Sequence, residues 1–153
     1  MTIIRANISH LASIEAITQK TIASIYPKYY PMGAVRHFQA HHHSAQIAKD
    51  IALGNVYLFL ENDTPLGTIS IIDNEITRFF ILPEKQHRGI GKLLLAFAER
   101  LIFNKGSNVT LDTSLPAQAF YFKNGYQVTG FKQVITDNQD VLCYVTMRKI
   151  SQR

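Results

Sequence analysis

Residues 78–99 read RFFILPEKQHRGIGKLLLAFAE, and no other stretch restricts the fold as tightly. An apolar run ends at Pro83, which has no backbone N–H to continue a ladder. A short loop carrying Gly89 and Gly91 follows, and then an apolar helix as far as Phe103. Glycines at such a joint let the backbone turn tightly and approach a ligand closely. The first amides of the helix have no partner within it and lie at the positive end of its dipole, which makes the joint an anion site. Arg88 and Lys92 add full charges beside it, enough for two phosphates. A nucleotide P-loop is excluded, because Gln86 stands where its first glycine belongs and Leu93 where its Ser or Thr belongs. A dinucleotide fingerprint fails as well, since Leu94 occupies the third glycine position.

The rest of the chain sets this joint in a mixed fold. Ile3–Arg5 predicts a short strand, and Ser9 an N-cap for a helix whose Leu11, Ile14, Ile17, Thr21, Ile22 and Ile25 recur at the helical period. Pro27 and Pro31 bracket an aromatic loop, and a second helix is predicted from Gly33 to about Leu53, stopped by Gly54. Val56–Leu60, Leu66–Ile72 and Glu75–Leu82, separated by short turns, read as three strands of an antiparallel meander. Beyond the apolar helix, Val109–Leu111 reads as a strand. Ser114 and Pro116 open a short helix, AQAFYFK, stopped at Asn124-Gly125, and Tyr126–Ile135 and Val141–Ile150 close the chain as strands. Strands and helices alternate only in the second half, so the class is a mixed α/β layer fold and not a doubly wound one.

Gln86-His87-Arg88-Gly89-Ile90-Gly91 resembles the Q/R-x-x-G-x-G/A signature of the GCN5-related N-acetyltransferase (GNAT) superfamily. LDTSLPAQAFYFKNGY is similar to that family's second motif, with its Phe-Tyr pair and Lys-x-Gly-aromatic ending, and YVTMRKI to its closing strand. The likeness is close over about residues 50–150 and holds only in layout before that. It implies the acyl-CoA N-acyltransferase fold, a mostly antiparallel central sheet splayed between the fourth and fifth strands and flanked by about four helices. It implies one N-acetyltransferase domain over 1–153: acceptor-side helices to about 54, an acetyl-CoA core over about 55–132, and a closing strand over about 133–153.

The activity implied is acetyl transfer from acetyl-CoA to a primary amine by direct attack in a ternary complex. The alternative is a non-catalytic acyl-CoA-binding or interaction module on the same fold. The resemblance places the pyrophosphate on the backbone of Gln86, His87, Arg88, Gly89, Ile90, Gly91 and Lys92, and the pantetheine arm along Phe79, Phe80 and Ile81. Tyr121, the Tyr of the Phe-Tyr pair, falls at the family's general acid, and a phenol suits a thiolate leaving group. A buried aromatic packing the short helix is the other reading of Tyr121. Glu75 falls at the catalytic glutamate of the histone acetyltransferase branch, or is an ordinary turn residue after Asp73-Asn74; many members have no dedicated base. Ser114 stands where an Asn often touches the pantetheine or the thiol, and its hydroxyl can donate one hydrogen bond.

Tyr26, Tyr29, Tyr30, His37 and His41–His43 cluster in the part that shapes the acceptor pocket in the family. His37 and His41 have metal-compatible spacing, but no third ligand accompanies them and no metal is expected. The single Cys143 excludes an intramolecular disulfide and every multi-cysteine zinc framework, and it reads as a core residue. No secretory leader is visible, and the longest apolar runs fall far short of the about 20 residues that cross a bilayer, so a cytoplasmic protein without membrane contact is expected. The net charge is +5. Residues 1–82 carry six basic and six acidic side chains, whereas residues 83–132 carry seven and three, so the surplus gathers around the glycine loop. No helix carries a basic stripe, which argues against nucleic acid. The acceptor stays open between a small-molecule amine, a peptide N-terminus and a lysine side chain, and the family's frequent homodimerisation stays open too.

Overall fold

The computed structural model describes residues 1–152. Seven strands form one sheet: β1 (Thr2–Arg5), β2 (Val56–Glu61), β3 (Thr64–Ile72), β4 (Glu75–Ile81), β5 (Asn108–Thr113), β6 (Gln127–Ile135) and β7 (Val141–Ile150). Their order across the sheet is β1-β2-β3-β4-β5-β7-β6, and every neighbouring pair is antiparallel except β4 with β5. The helices are α1 (Leu11–Ile25), α2 (Met32–His41), α3 (Ser44–Ala52), α4 (Ile90–Phe103) and α5 (Gln118–Lys123).

Alternation along the strands sends side chains to two cores, one on each face of the sheet. Ile14, Ile17 and Ile22 of α1, Val35 of α2 and Ile47 of α3 pack with Val56, Leu58 and Phe80. Leu94, Leu95, Ala98 and Ile102 of α4 and Tyr121 of α5 pack on the opposite face with Phe59, Ile69, Val109 and Met147. Each helix therefore hides its apolar stripe against the sheet.

Two helix boundaries differ from expectation. Asn7, not Ser9, is the cap at the first helical segment: its Oδ1 accepts from the Ser9 amide at 2.9 Å, and His10 Nδ1 accepts in return from the Asn7 amide. The helix expected over 33–53 is interrupted. His42 leaves helical geometry, His43 is extended, and the His43 Nδ1 accepts from the Gln46 amide at 3.3 Å, so an imidazole restarts the chain as α3. Gly54, at φ +74°, closes α3 as predicted.

The sheet opens at its centre. Ser70 pairs with Arg78 but Ile71 pairs with Ile76, which leaves Thr77 as an extra residue in β4. Such a bulge bends its strand. The parallel β4–β5 pairing is confined to Glu75 with Thr110 and Ile76 with Leu111, and past those positions the strands part. Arg78, just beyond the bulge, is 4% exposed and is held by Asp50 of α3 and by Ser70 Oγ, both at 2.9 Å. This buried ion pair pins α3 to the strand where the sheet splits. Among the described residues no helix is long and apolar enough to cross a membrane.

Candidate active site

The joint after β4 has the geometry its glycines require. Pro83–Lys85 form a single 3₁₀ turn, and His87 and Gly89 take positive φ of +59° and +82°. Gly89 is the N-cap of α4, and no side chain caps the helix. The Leu93 amide bonds to the Gly89 carbonyl at 3.1 Å, leaving the amides of Ile90, Gly91 and Lys92 without partners within the helix. A Cβ on Gly89 would meet nothing within 4 Å, so this glycine serves the backbone angle. A Cβ on Gly91 would touch the Phe120 ring at 3.5 Å and the Phe79 ring at 3.9 Å, so Gly91 faces the cleft.

The open edge of β4 supplies further backbone groups. The Leu82 amide bonds to the Leu66 carbonyl of β3 at 2.9 Å. Partners alternate along an antiparallel ladder, so Phe80 also turns its backbone to β3, whereas Phe79 and Ile81 turn theirs into the split. The Ile81 carbonyl accepts from Gln86 Nε2 at 3.1 Å, and Thr21 Oγ1, also 3.1 Å away, shares its one proton between this carbonyl and that of Ile17 at 2.7 Å. The Gln86 side chain thus braces the loop against the strand.

A cavity of about 430 Å³ lies between these elements. Thr21, Ile25, Tyr26 and Tyr29 form one wall. Phe79–Ile81 and the loop residues Gln86, His87, Gly89, Gly91 and Lys92 form its floor and one end. Ser114, Pro116, Ala117, Phe120 and Tyr121 close the other side. Of the residues expected to bind the coenzyme, Arg88 and Ile90 are absent from the lining. Arg88 points away and pairs with Glu61 at 3.2 Å, and the Ile90 side chain is buried in the core beneath α4, offering only its amide. Among the described residues neither Lys85 nor Lys92 makes an ion pair, so the uncompensated charge at the cavity is that of Lys92.

Tyr121 is buried among the rings of Phe79, Phe120 and Tyr126. Burial, and then the nearby phenol of Tyr26, push its hydroxyl far above the ordinary tyrosine range, so it stays protonated. Tyr26 is likewise raised by burial, to about 12, opposed by an interaction with the Ser114 side chain. The Tyr30 hydroxyl donates to the Cys143 carbonyl at 3.0 Å and accepts from the Leu115 amide at 2.7 Å.

Glu75 is not brought into this cavity. It is exposed at the closed end of the split, paired with Thr110, and five residues of strand place it roughly 16 Å along β4 from Phe80. Desolvation, and then Asp112, raise its carboxyl, and Lys132 acts against them.

The histidine triplet divides: His41 and His43 are exposed, while His42 is buried against Phe80. Among the described residues no group of His, Cys, Asp or Glu is arranged to hold a metal ion. Cys143, expected in the core, is exposed on β7 opposite Gln133 of β6, the edge strand. The wall formed by Thr21, Ile25, Tyr26 and Tyr29 is the part that motif spacing does not reach. The aromatic loop signals a pocket there, but nothing local to it announces the approach of Tyr26 to Ser114.

Comparison with known proteins agrees with this architecture. Residues 16–151 match the family model for the acetyltransferase (GNAT) domain. The chain is 27% identical over 120 residues to the uncharacterized N-acetyltransferase YafP of Escherichia coli K12, covering 74% of this chain and 77% of that one. It is 32% identical over 74 residues to the peptidyl-lysine N-acetyltransferase YjaB of Salmonella typhimurium, covering about half of each, 48% and 50%. Among solved structures, a GCN5-related N-acetyltransferase from Rhodopseudomonas palustris superposes with a TM-score of 0.89 at 21% identity, covering 98% of this chain and 95% of that one. The PaiA N-acetyltransferase of Thermoplasma acidophilum, in complex with coenzyme A, superposes with a TM-score of 0.77 at 23% identity and 98% coverage of both chains.

Proposed function

The chain belongs to the GNAT family of acetyltransferases, and on that premise we propose that it transfers the acetyl group of acetyl-CoA to a primary amine by direct attack in a ternary complex. One observation carries the reading. The uncapped start of α4, the outward-facing Gly91 and the free backbone of β4 border one cavity that also contains Tyr121. Those groups fit a long ligand with an anionic end and an amide-bearing arm. The amides of Ile90, Gly91 and Lys92, with the Lys92 charge, hold the pyrophosphate. Phe79 and the Ile81 amide pair with the pantetheine arm, while the Ile81 carbonyl accepts from the Gln86 side chain. Gln86 and His87 shape the turn, and Ser114 reaches the sulfur end.

Bound acetyl-CoA supplies an activated thioester. The amine nitrogen forms a bond to the acetyl carbon, the carbon–sulfur bond breaks with its electron pair on sulfur, and the nitrogen releases one proton while the sulfur gains one. Tyr121, neutral and dry, donates to the sulfur. The cavity lining has no carboxylate and Glu75 lies outside it, so the acceptor enters as the free amine. We read residues 1–153 as one N-acetyltransferase domain built on the single sheet.

Calorimetric titration with acetyl-CoA, followed by thiol release with a panel of amines, tests the proposal. Gly89→Glu and Gly91→Glu abolish binding by placing bulk and negative charge at the phosphates. Unchanged affinity in either variant refutes the assignment of the loop, and turnover surviving intact in Tyr121→Phe removes that residue as the acid.

A further inference from the structure

We infer that Tyr26 is a second hydrogen-bond donor to the departing sulfur, facing Tyr121 across the cavity. The inference rests on the coenzyme proposal above and deepens it. Tyr26 comes from the turn that follows α1, and Tyr121 from α5 on the far side of the sheet split, yet both line the same cavity. The Tyr26 ring is 8% exposed and locked in place. Phe38 meets it edge-on at 4.7 Å, and Tyr30 and Phe80 flank it at 5.9 and 6.4 Å. Its hydroxyl end interacts with the side chain of Ser114, which opens the turn after β5 and lines the cavity too.

Three hydroxyls from three separate segments therefore converge where Ser114 and Tyr121 close the cavity. No cationic side chain lines this end, because Lys92 sits at the other, beside the glycine loop. Charge that develops on sulfur here has only neutral O–H dipoles to meet it, and preorganised donors in a dry site stabilise such charge efficiently. As the carbon–sulfur bond breaks, its electron pair moves onto sulfur, and the Tyr26 hydroxyl keeps its proton and hydrogen-bonds the developing thiolate beside Tyr121. The Ser114 hydroxyl, both donor and acceptor, orients the Tyr26 hydroxyl.

The test needs no knowledge of the acceptor. The full chain is titrated calorimetrically with coenzyme A and with desulfo-coenzyme A, which has hydrogen in place of the thiol, between pH 7 and 9.5. Hydroxyl donors favour the thiolate and lower the thiol pKa on binding. The preference for coenzyme A over the desulfo compound then grows with pH, up to about tenfold where binding brings the thiol pKa down by one. Tyr26→Phe keeps the ring and the desulfo-coenzyme affinity but loses at least a threefold part of that growth. Growth equal to the wild type in Tyr26→Phe, or no growth in the wild type, overturns the role of Tyr26 and leaves the coenzyme site standing. Failure of the wild type to bind either compound overturns the coenzyme proposal and this inference with it. Loss of desulfo-coenzyme binding in Tyr26→Phe also overturns the role of Tyr26, because the hydroxyl then serves the shape of the cavity and not the sulfur.

Discussion

Replacing His42 by Phe should flatten the acid side of the stability profile. His42 is 7% exposed, its ring lies edge-on to Phe80 at 5.3 Å and to His41 at 5.0 Å, and its Nδ1 is buried without a hydrogen-bond partner. Burial, then the Arg78 guanidinium and His41, push its pKa down from 6.5 to about 3. In the unfolded chain the same ring takes up a proton near pH 6.5. Stability is therefore full above pH 6.5 and is lost as pH falls from there toward 3, at about 1.4 kcal/mol per pH unit. Between pH 7 and 5 the loss from this one group comes to about 2 kcal/mol. Phe at position 42 can keep the aromatic contact with Phe80 and has nothing to titrate. Urea unfolding of both proteins at pH 7, 6 and 5, followed by circular dichroism because the chain has no tryptophan, isolates the contribution of this ring. The remaining histidines and the carboxylates contribute equally to both proteins. Parallel loss of stability in the wild type and in His42→Phe would show that the folded protein protonates His42 readily, and the reasoning from burial would fail.

Three other substitutions have defined outcomes. Asp50→Asn leaves the Arg78 guanidinium, 3% exposed at its side chain, without its counter-ion; it should cost about 3–5 kcal/mol in urea unfolding, whereas Lys20→Ala, which breaks an exposed pair, should change stability immeasurably. Gly91→Ala places a methyl group at ordinary contact distances from Phe120 and Phe79, and the signature accepts Ala at this position, so its acetyl-CoA affinity in calorimetry should stay close to that of the wild type, in contrast to Gly91→Glu. Gly33→Ala drives a methyl group into the far ends of the Asn138 and Asp140 side chains, which must move aside and give up the Asp140 bond to the Gly33 amide; urea unfolding should show a loss of about 0.5–1.5 kcal/mol.

The parts of the fold that announce themselves locally are legible in the sequence. Pro83, Gly89 and the apolar period of α4 mark the strand–loop–helix joint, and β7 occupies the span its alternation predicts, Val141–Ile150. The break at His42–His43 is not legible, because the apolar spacing continues through it and an imidazole is an uncommon cap. Ser9 is overruled by Asn7 for a similar reason: two good capping residues lie two positions apart, and only the turn decides between them. Cys143 is misplaced because alternation tells which residues share a face but not where a covering layer stops, and β6 is a sheet edge. In the cavity, the glycine loop is a contiguous motif and stands out. The meeting of Tyr26 with Ser114, 88 residues further along, depends on how far β4 and β5 diverge, which no local pattern encodes.

Tyr30 has a consequence for how acceptors are chosen. One phenol joins the segment between α1 and α2 to the Cys143 carbonyl of β7 and to the Leu115 amide after β5. Asp140 of the β6–β7 turn receives the Gly33 amide at 2.8 Å only a few residues away. The aromatic wall of the cavity is thus riveted to the strands beyond the split, and it cannot swing outward without breaking bonds on both sides. An acceptor meets a mould already cast: the entropy of ordering this wall is spent in folding, not in binding. Whatever occupies the cavity meets an outline set by Tyr29 and Pro116 among its lining residues, fixed before it arrives.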